Sequence, residues 1–208
     1  MRRLPLVVCT LIMVLCAAGV VEATPINFNL AGSSGSSVSL SNIQTWGVFG
    51  SSDVTAALVP GLDAVSFSLS DGGSYTFDFF SLTINSRGFL SGGSANISAT
   101  LGFDSPPVPG GVTGTGSGWW ATVSGTLSGG ALTWGNLPQT ITLGAGEYFD
   151  VSFENILVAG LGTQTTVHGN ITAHVSDPTS VPIPEPSTLL LLGSGLVGLG
   201  VVMRRFRR

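Results

Sequence analysis

The chain of 208 residues carries a net charge of −4, only 9% charged residues, no lysine and 30 glycines. Soluble domains average about 25% charged residues, and soluble helices lean on Lys, Glu, Arg and Ala, so a helix-rich cytosolic enzyme is excluded and an all-β body is expected. Six of the seven arginines lie at the two ends; between residues 24 and 180 Arg87 alone faces nine acids, a balance of one minus nine or −8, which repels phosphate backbones and argues against nucleic-acid binding.

The N-terminus opens with Arg2 and Arg3, continues through an apolar stretch over residues 4–15, and reaches Val21-Glu22-Ala23 before Thr24. Positive start, apolar run and small-residue cleavage pattern are the layout of a secretory signal peptide. Residues 1–23 are therefore expected to direct export through the Sec machinery, with signal peptidase cutting after Ala23. Both cysteines, Cys9 and Cys16, sit in this leader, so the mature chain is expected to lack disulfides and thiolate chemistry; burial and sheet hydrogen bonds must hold it together.

Residues 24–178 read as one extracytoplasmic β domain. Ala95, Ile97, Ala99, Leu101 and Phe103 alternate with polar or small residues; Phe149, Val151, Phe153, Asn155 and Leu157 share one face of their segment, and Val167, Gly169, Ile171, Ala173 and Val175 alternate in the same way. Period-two patterns of this kind mark half-buried strands. Shorter strands are expected at residues 26–30, 38–43, 54–58, 64–69, 75–84, 119–127, 131–134 and 140–143. Pro60-Gly61, Asp71-Gly72-Gly73, Ser91-Gly92-Gly93 and Ser128-Gly129-Gly130 supply turns between them. Residues 104–118, with three prolines followed by five glycines, are expected to be a mobile surface loop. About ten short strands without intervening helices predict an antiparallel β-sandwich or jelly roll.

The C-terminus runs from a Pro-rich linker at residues 179–186, through an apolar stretch at 187–203, to the cluster Arg204, Arg205, Arg207 and Arg208. Seventeen apolar or small residues lie near the lower limit for a membrane-spanning helix, and the arginines act as a cytoplasmic stop, placing the body outside. Gly193-Ser-Gly195-Leu-Val-Gly198 fits the dinucleotide-binding pattern, but only ten residues follow it, too few for the rest of a βαβ unit. Small residues of a membrane helix account for these glycines better.

Pro184, Glu185 and Pro186, followed by a short apolar helix and terminal arginines, resemble the PEP-CTERM sorting signal of exopolysaccharide-producing Gram-negative bacteria. The resemblance covers about the last 27 residues. It implies handling by exosortase, a membrane-embedded cysteine-type transpeptidase, and hence a destination at the inner membrane, then at the cell surface or in the extracellular matrix. The bodies of proteins sharing this tail are otherwise unrelated, and some are described as ice-binding.

Within the body, His168 and His174 lie six residues apart on one strand face, about 20 Å by strand rise, too far to share a metal. Asp150 and Glu154 stand about 13 Å apart on the same estimate, beyond the roughly 5–9.5 Å of a glycosidase pair. No nucleophile elbow occurs. Acids in loops, Asp71 or Asp104, offer oxygen ligands for a structural calcium; no other cofactor is expected. In Trp119-Trp120 the two side chains must point to opposite faces of a strand, one into the core and one outward, and Trp120 is taken as the candidate for stacking on a sugar ring. Thr-x-Thr pairs occur without the regular ladder an ice-binding plane requires. The sequence thus predicts an exported, non-catalytic protein of the cell surface or exopolysaccharide matrix. The alternatives are a carbohydrate-binding or, less well supported, ice-binding module and, third, a small polysaccharide hydrolase.

Overall fold

The period-two segments do form strands, because alternation gives each a dry face and a wet one. A computed structural model describes residues 24–144, 146–158, 164–175 and 193–195. Its strands are β1 (Ile26–Leu30), β2 (Ser37–Leu58), β3 (Ser66–Leu69), β4 (Ser74–Leu101), β5 (Phe103–Ser105), β6 (Val112–Val123), β7 (Thr126–Trp134), β8 (Gln139–Gly144), β9 (Glu147–Phe153), β10 (Ile156–Val158) and β11 (Gln164–His174). A 3₁₀ turn at Leu62–Ala64 lies between β2 and β3. All pairings are antiparallel.

Two sheets result. A small one has the order β3-β1-β5; a large one runs β10-β7-β6-β4-β11-β9-β8, with β2 also paired to β4. The all-β antiparallel class is as expected, but in place of two comparable layers the large sheet curls strongly into a half-barrel. Its spine is β4, which binds β2 from Leu58↔Phe80 to Ser37↔Thr100, β11 along its first part and β6 along its last. A straight strand of 28 residues would reach about 90 Å, whereas a domain of this size has a radius of gyration of about 15 Å, so the spine must bend. Register shifts between Ser41 and Gln44 and between Val167 and His168 mark the bends, together with the positive φ angles of Asn42, Phe49 and Gly88.

Three expectations are corrected here. The separate strands at 38–43 and 54–58 are one strand, β2; that at 75–84 joins residues 95–101 in β4 while Phe103 opens β5, and the alternation from Phe149 stops at Phe153, leaving Leu157 exposed in β10. Ser91-Gly92-Gly93 and Ser128-Gly129-Gly130 are not turns but strand interior. Residues 112–118 are not loop but the start of β6. The glycines there are selected by close packing: a Cβ at Gly114 would lie 2.9 Å from the Phe153 ring. The turns at Gly61 (φ 82°) and Gly72 (φ 71°) stand as expected, with backbone that favours glycine.

The main core gathers Phe28, Phe77, Phe79, Phe80, Ile97, Leu101, Phe149, Val151, Val167 and Ile171. The small sheet docks on the large one through a perpendicular contact of the Phe28 and Phe149 rings, with centroids 5.1 Å apart at 86°. Each such buried ring contributes roughly 1.5–3 kcal/mol. A second, smaller core of Ala95, Trp120 and Leu127 lies farther along the concave side of the half-barrel.

The signal peptide and Ala23, the linker, the Pro184-Glu185-Pro186 motif and the arginine cluster lie outside the described residues. The span expected at 187–203 is described only at Gly193, Ser194 and Gly195, which are helical. Among the described residues no helix is long and apolar enough to cross a membrane.

Candidate functional site

One of the two adjacent indoles of β6 is buried and the other exposed, as strand alternation requires, but the assignment is the reverse of the expected one. Trp120 is only 4% exposed. It packs in the second core, and its Nε1–H donates to Ser52 Oγ at 2.9 Å, so its ring is not presented at the surface. Trp119 is 52% exposed, with Ser94 and Ala131 as its small cross-strand partners.

A second exposed indole shares that face. Trp46 of β2 pairs with Gly92, and Gly92 pairs with Ala121, two residues from Trp119; directly paired residues project to the same side of a sheet. Trp46 is 51% exposed and lies against Gly92, where a Cβ would stand 2.7 Å from its Cζ2. On the opposite side a Cβ at Gly93 would meet Trp120 Cζ2 at 2.5 Å. The consecutive glycines of β4 thus seat one indole on each face, a role for paired glycines that local sequence cannot reveal.

Around the indoles the same face carries Gln44, Ser94, Asn96, Ser117 and Thr133, which line a shallow depression beside Trp119. The four strand segments forming this face, residues 42–48, 90–96, 117–123 and 129–133, contain no charged residue. Val48 and Val123 continue the apolar stripe at its far end, both paired with Leu90.

The outer face of β9 and β11 differs in chemistry. His168 places Nδ1 against Glu154 Oε2 and Nε2 3.1 Å from Asp78 Oδ1, so one imidazole bridges two carboxylates. His174 Nε2 lies 3.2 Å from Asp150 Oδ2, its ring stacked on Tyr148 with centroids 4.5 Å apart. Thr140 donates to Asp150 Oδ1. Asp150 and Glu154 therefore serve different histidines instead of flanking a common point. Among the described residues no group of three or more His, Cys, Asp or Glu side chains is arranged to hold a metal. Of the acids considered for calcium, Asp71 accepts the Val175 N–H at 2.9 Å and so ties its turn to the end of β11; Asp104 lies exposed in β5.

A third polar group sits on the concave side. Ser91 and Thr122 hydroxyls are 2.7 Å apart, Ser86 donates to Thr122 Oγ1 at 2.8 Å, and Thr122 Oγ1 lies 3.0 Å from the Ser91 carbonyl. No imidazole or carboxylate is among these contacts, so the cluster satisfies itself and presents no activated nucleophile.

Residues 182–208 match the PEP-CTERM protein-sorting motif, the span that holds Pro184, Glu185, Pro186 and the four terminal arginines. The motif implies export and processing by exosortase at the membrane. No curated protein and no solved structure matches the chain.

Proposed function

We propose that this chain is an exported, non-catalytic protein of the cell surface or exopolysaccharide matrix of a Gram-negative bacterium. The signal peptide takes it through the Sec machinery, signal peptidase cuts after Ala23, and the helix at 187–203 with its arginine stop holds the chain in the inner membrane until exosortase acts at the tail. The observation that carries this reading is the sorting motif at residues 182–208. A body without cysteine that relies on sheet pairing and a phenylalanine-rich core suits life outside the cytoplasm.

Mass spectrometry of the protein from producing cells tests it. The expected mass lacks residues 1–23 and the arginine cluster, and replacing Pro184, Glu185 and Pro186 by alanine leaves the tail attached. Released material with an intact Arg-rich C-terminus contradicts the reading.

Carbohydrate recognition is the second reading, favoured by the two half-exposed indoles on one uncharged sheet face. A polysaccharide hydrolase is less well supported, because Asp78, Asp150 and Glu154 are each engaged by an imidazole.

A further inference from the structure

The curled sheet turns two tryptophans outward on one surface that bears no charge. By sheet spacing and rise, two strands across and two residues along, their Cα atoms stand about 12 Å apart. Trp46 rests on glycine, and Trp119 is flanked by serine and alanine. Both rings therefore stand above a low floor with an open face, and among the described residues neither is stacked on another aromatic ring. Between and beside them are amides and hydroxyls, side chains that both donate and accept.

We propose that this face is a binding platform for a neutral polysaccharide chain: Trp46 and Trp119 stack on the C–H faces of two sugar rings, and Gln44, Ser94, Asn96 and Ser117 hydrogen-bond the sugar hydroxyls. The inference rests on the carbohydrate reading and gives it a site and a ligand class. Neutrality of the ligand follows from the face itself. An acidic polysaccharide or a phosphate-bearing lipid surface would find no cation within the four segments, and the body's net balance of −8 would repel it. Interleaving of rings with hydroxyls and amides around Trp46 and Trp119 fits a chain of sugars, each apolar on its faces and polar at its rim.

The test uses the full chain in detergent, run on native gels cast with hydroxyethylcellulose, dextran or galactomannan, and with alginate as the acidic comparison. At least one neutral polymer is expected to retard the wild type, and alginate is not. Trp46→Ala and Trp119→Ala each weaken the apparent affinity about tenfold, the double variant abolishes retardation, and Trp119→Phe retains most of it. His168→Ala, on the acidic face, binds like the wild type. Circular dichroism confirms that the variants fold. Retardation unchanged in the double variant overturns the site while leaving carbohydrate recognition standing; no retardation by any neutral polymer overturns both. Retardation by alginate overturns the ligand class. Concentration-dependent dimerisation in analytical ultracentrifugation that vanishes in the double variant makes the face a contact between copies and also overturns the proposal.

Discussion

On the outer side of the large sheet, the surface of β9 and β11 and the surface of β2, β4 and β6 meet solvent in opposite ways. The first is populated by groups that satisfy one another: His168 spans Glu154 and Asp78, His174 takes Asp150 and leans on Tyr148, and Asn170 donates to Thr76. The second leaves its largest groups unsatisfied. Trp46 and Trp119 are half-exposed, and the four segments around them hold no charge. A surface whose side chains pair among themselves has little left to offer a ligand, whereas exposed indoles over glycine and serine remain costly to leave in water. The difference separates structural polarity from available binding surface within one sheet.

Substitutions sharpen the contrast. The largest effect is expected inside the aromatic half: Trp120→Ala removes a buried indole and leaves Ser52 without its donor, and urea denaturation should show a loss of about 3–5 kcal/mol. Gly93→Val follows, because the new side chain would strike both the Gln44 carbonyl oxygen and the Trp120 ring; overpacking of this kind costs about 1–3 kcal/mol in the same assay. On the acidic face His168→Ala is expected to cost less than about 1 kcal/mol, since the pairs are exposed and screened, and raising the salt concentration should shrink the difference from wild type. Trp119→Ala should change the unfolding midpoint least, by the equivalent of about 0.5 kcal/mol or less. If Trp119→Ala destabilised the fold as much as Trp120→Ala, the division between a structural and an available indole would fail.

Much of the architecture was readable where pattern is local. Alternation in residues 95–101, 149–153 and 167–175 identified the strands and the faces they bury, and all of those inward residues except Gly169 are large or apolar enough to signal it. What escaped was non-local. Gly92-Gly93 has the composition of a turn, and the indoles and backbone carbonyls arriving from β2 and β6 explain two glycines in mid-strand. Continuity of β4 was hidden for that reason. The phase of β6 was misleading too: Trp119, Ala121 and Val123 form the more apolar set, yet the sheet buries Val112, Gly114, Trp120 and Thr122. Thr122 is tolerated inside because Ser86 and Ser91 meet its hydroxyl. Alternation therefore told that one tryptophan points outward without telling which, and Trp46 showed no sign of sharing its surface because its neighbours come from strands more than 40 residues away. The sorting tail was legible because its three parts are contiguous in sequence.

Hydroxyl-radical footprinting read by mass spectrometry tests the central division most directly. In the free protein Trp46 and Trp119 should be oxidised readily and Trp120 spared. Adding a neutral polysaccharide that retards the chain should protect Trp46 and Trp119 while leaving Tyr148 and His174 unchanged. Oxidation of Trp120 at the rate of Trp119, or protection that falls on Tyr148 and His174 instead, would contradict the account.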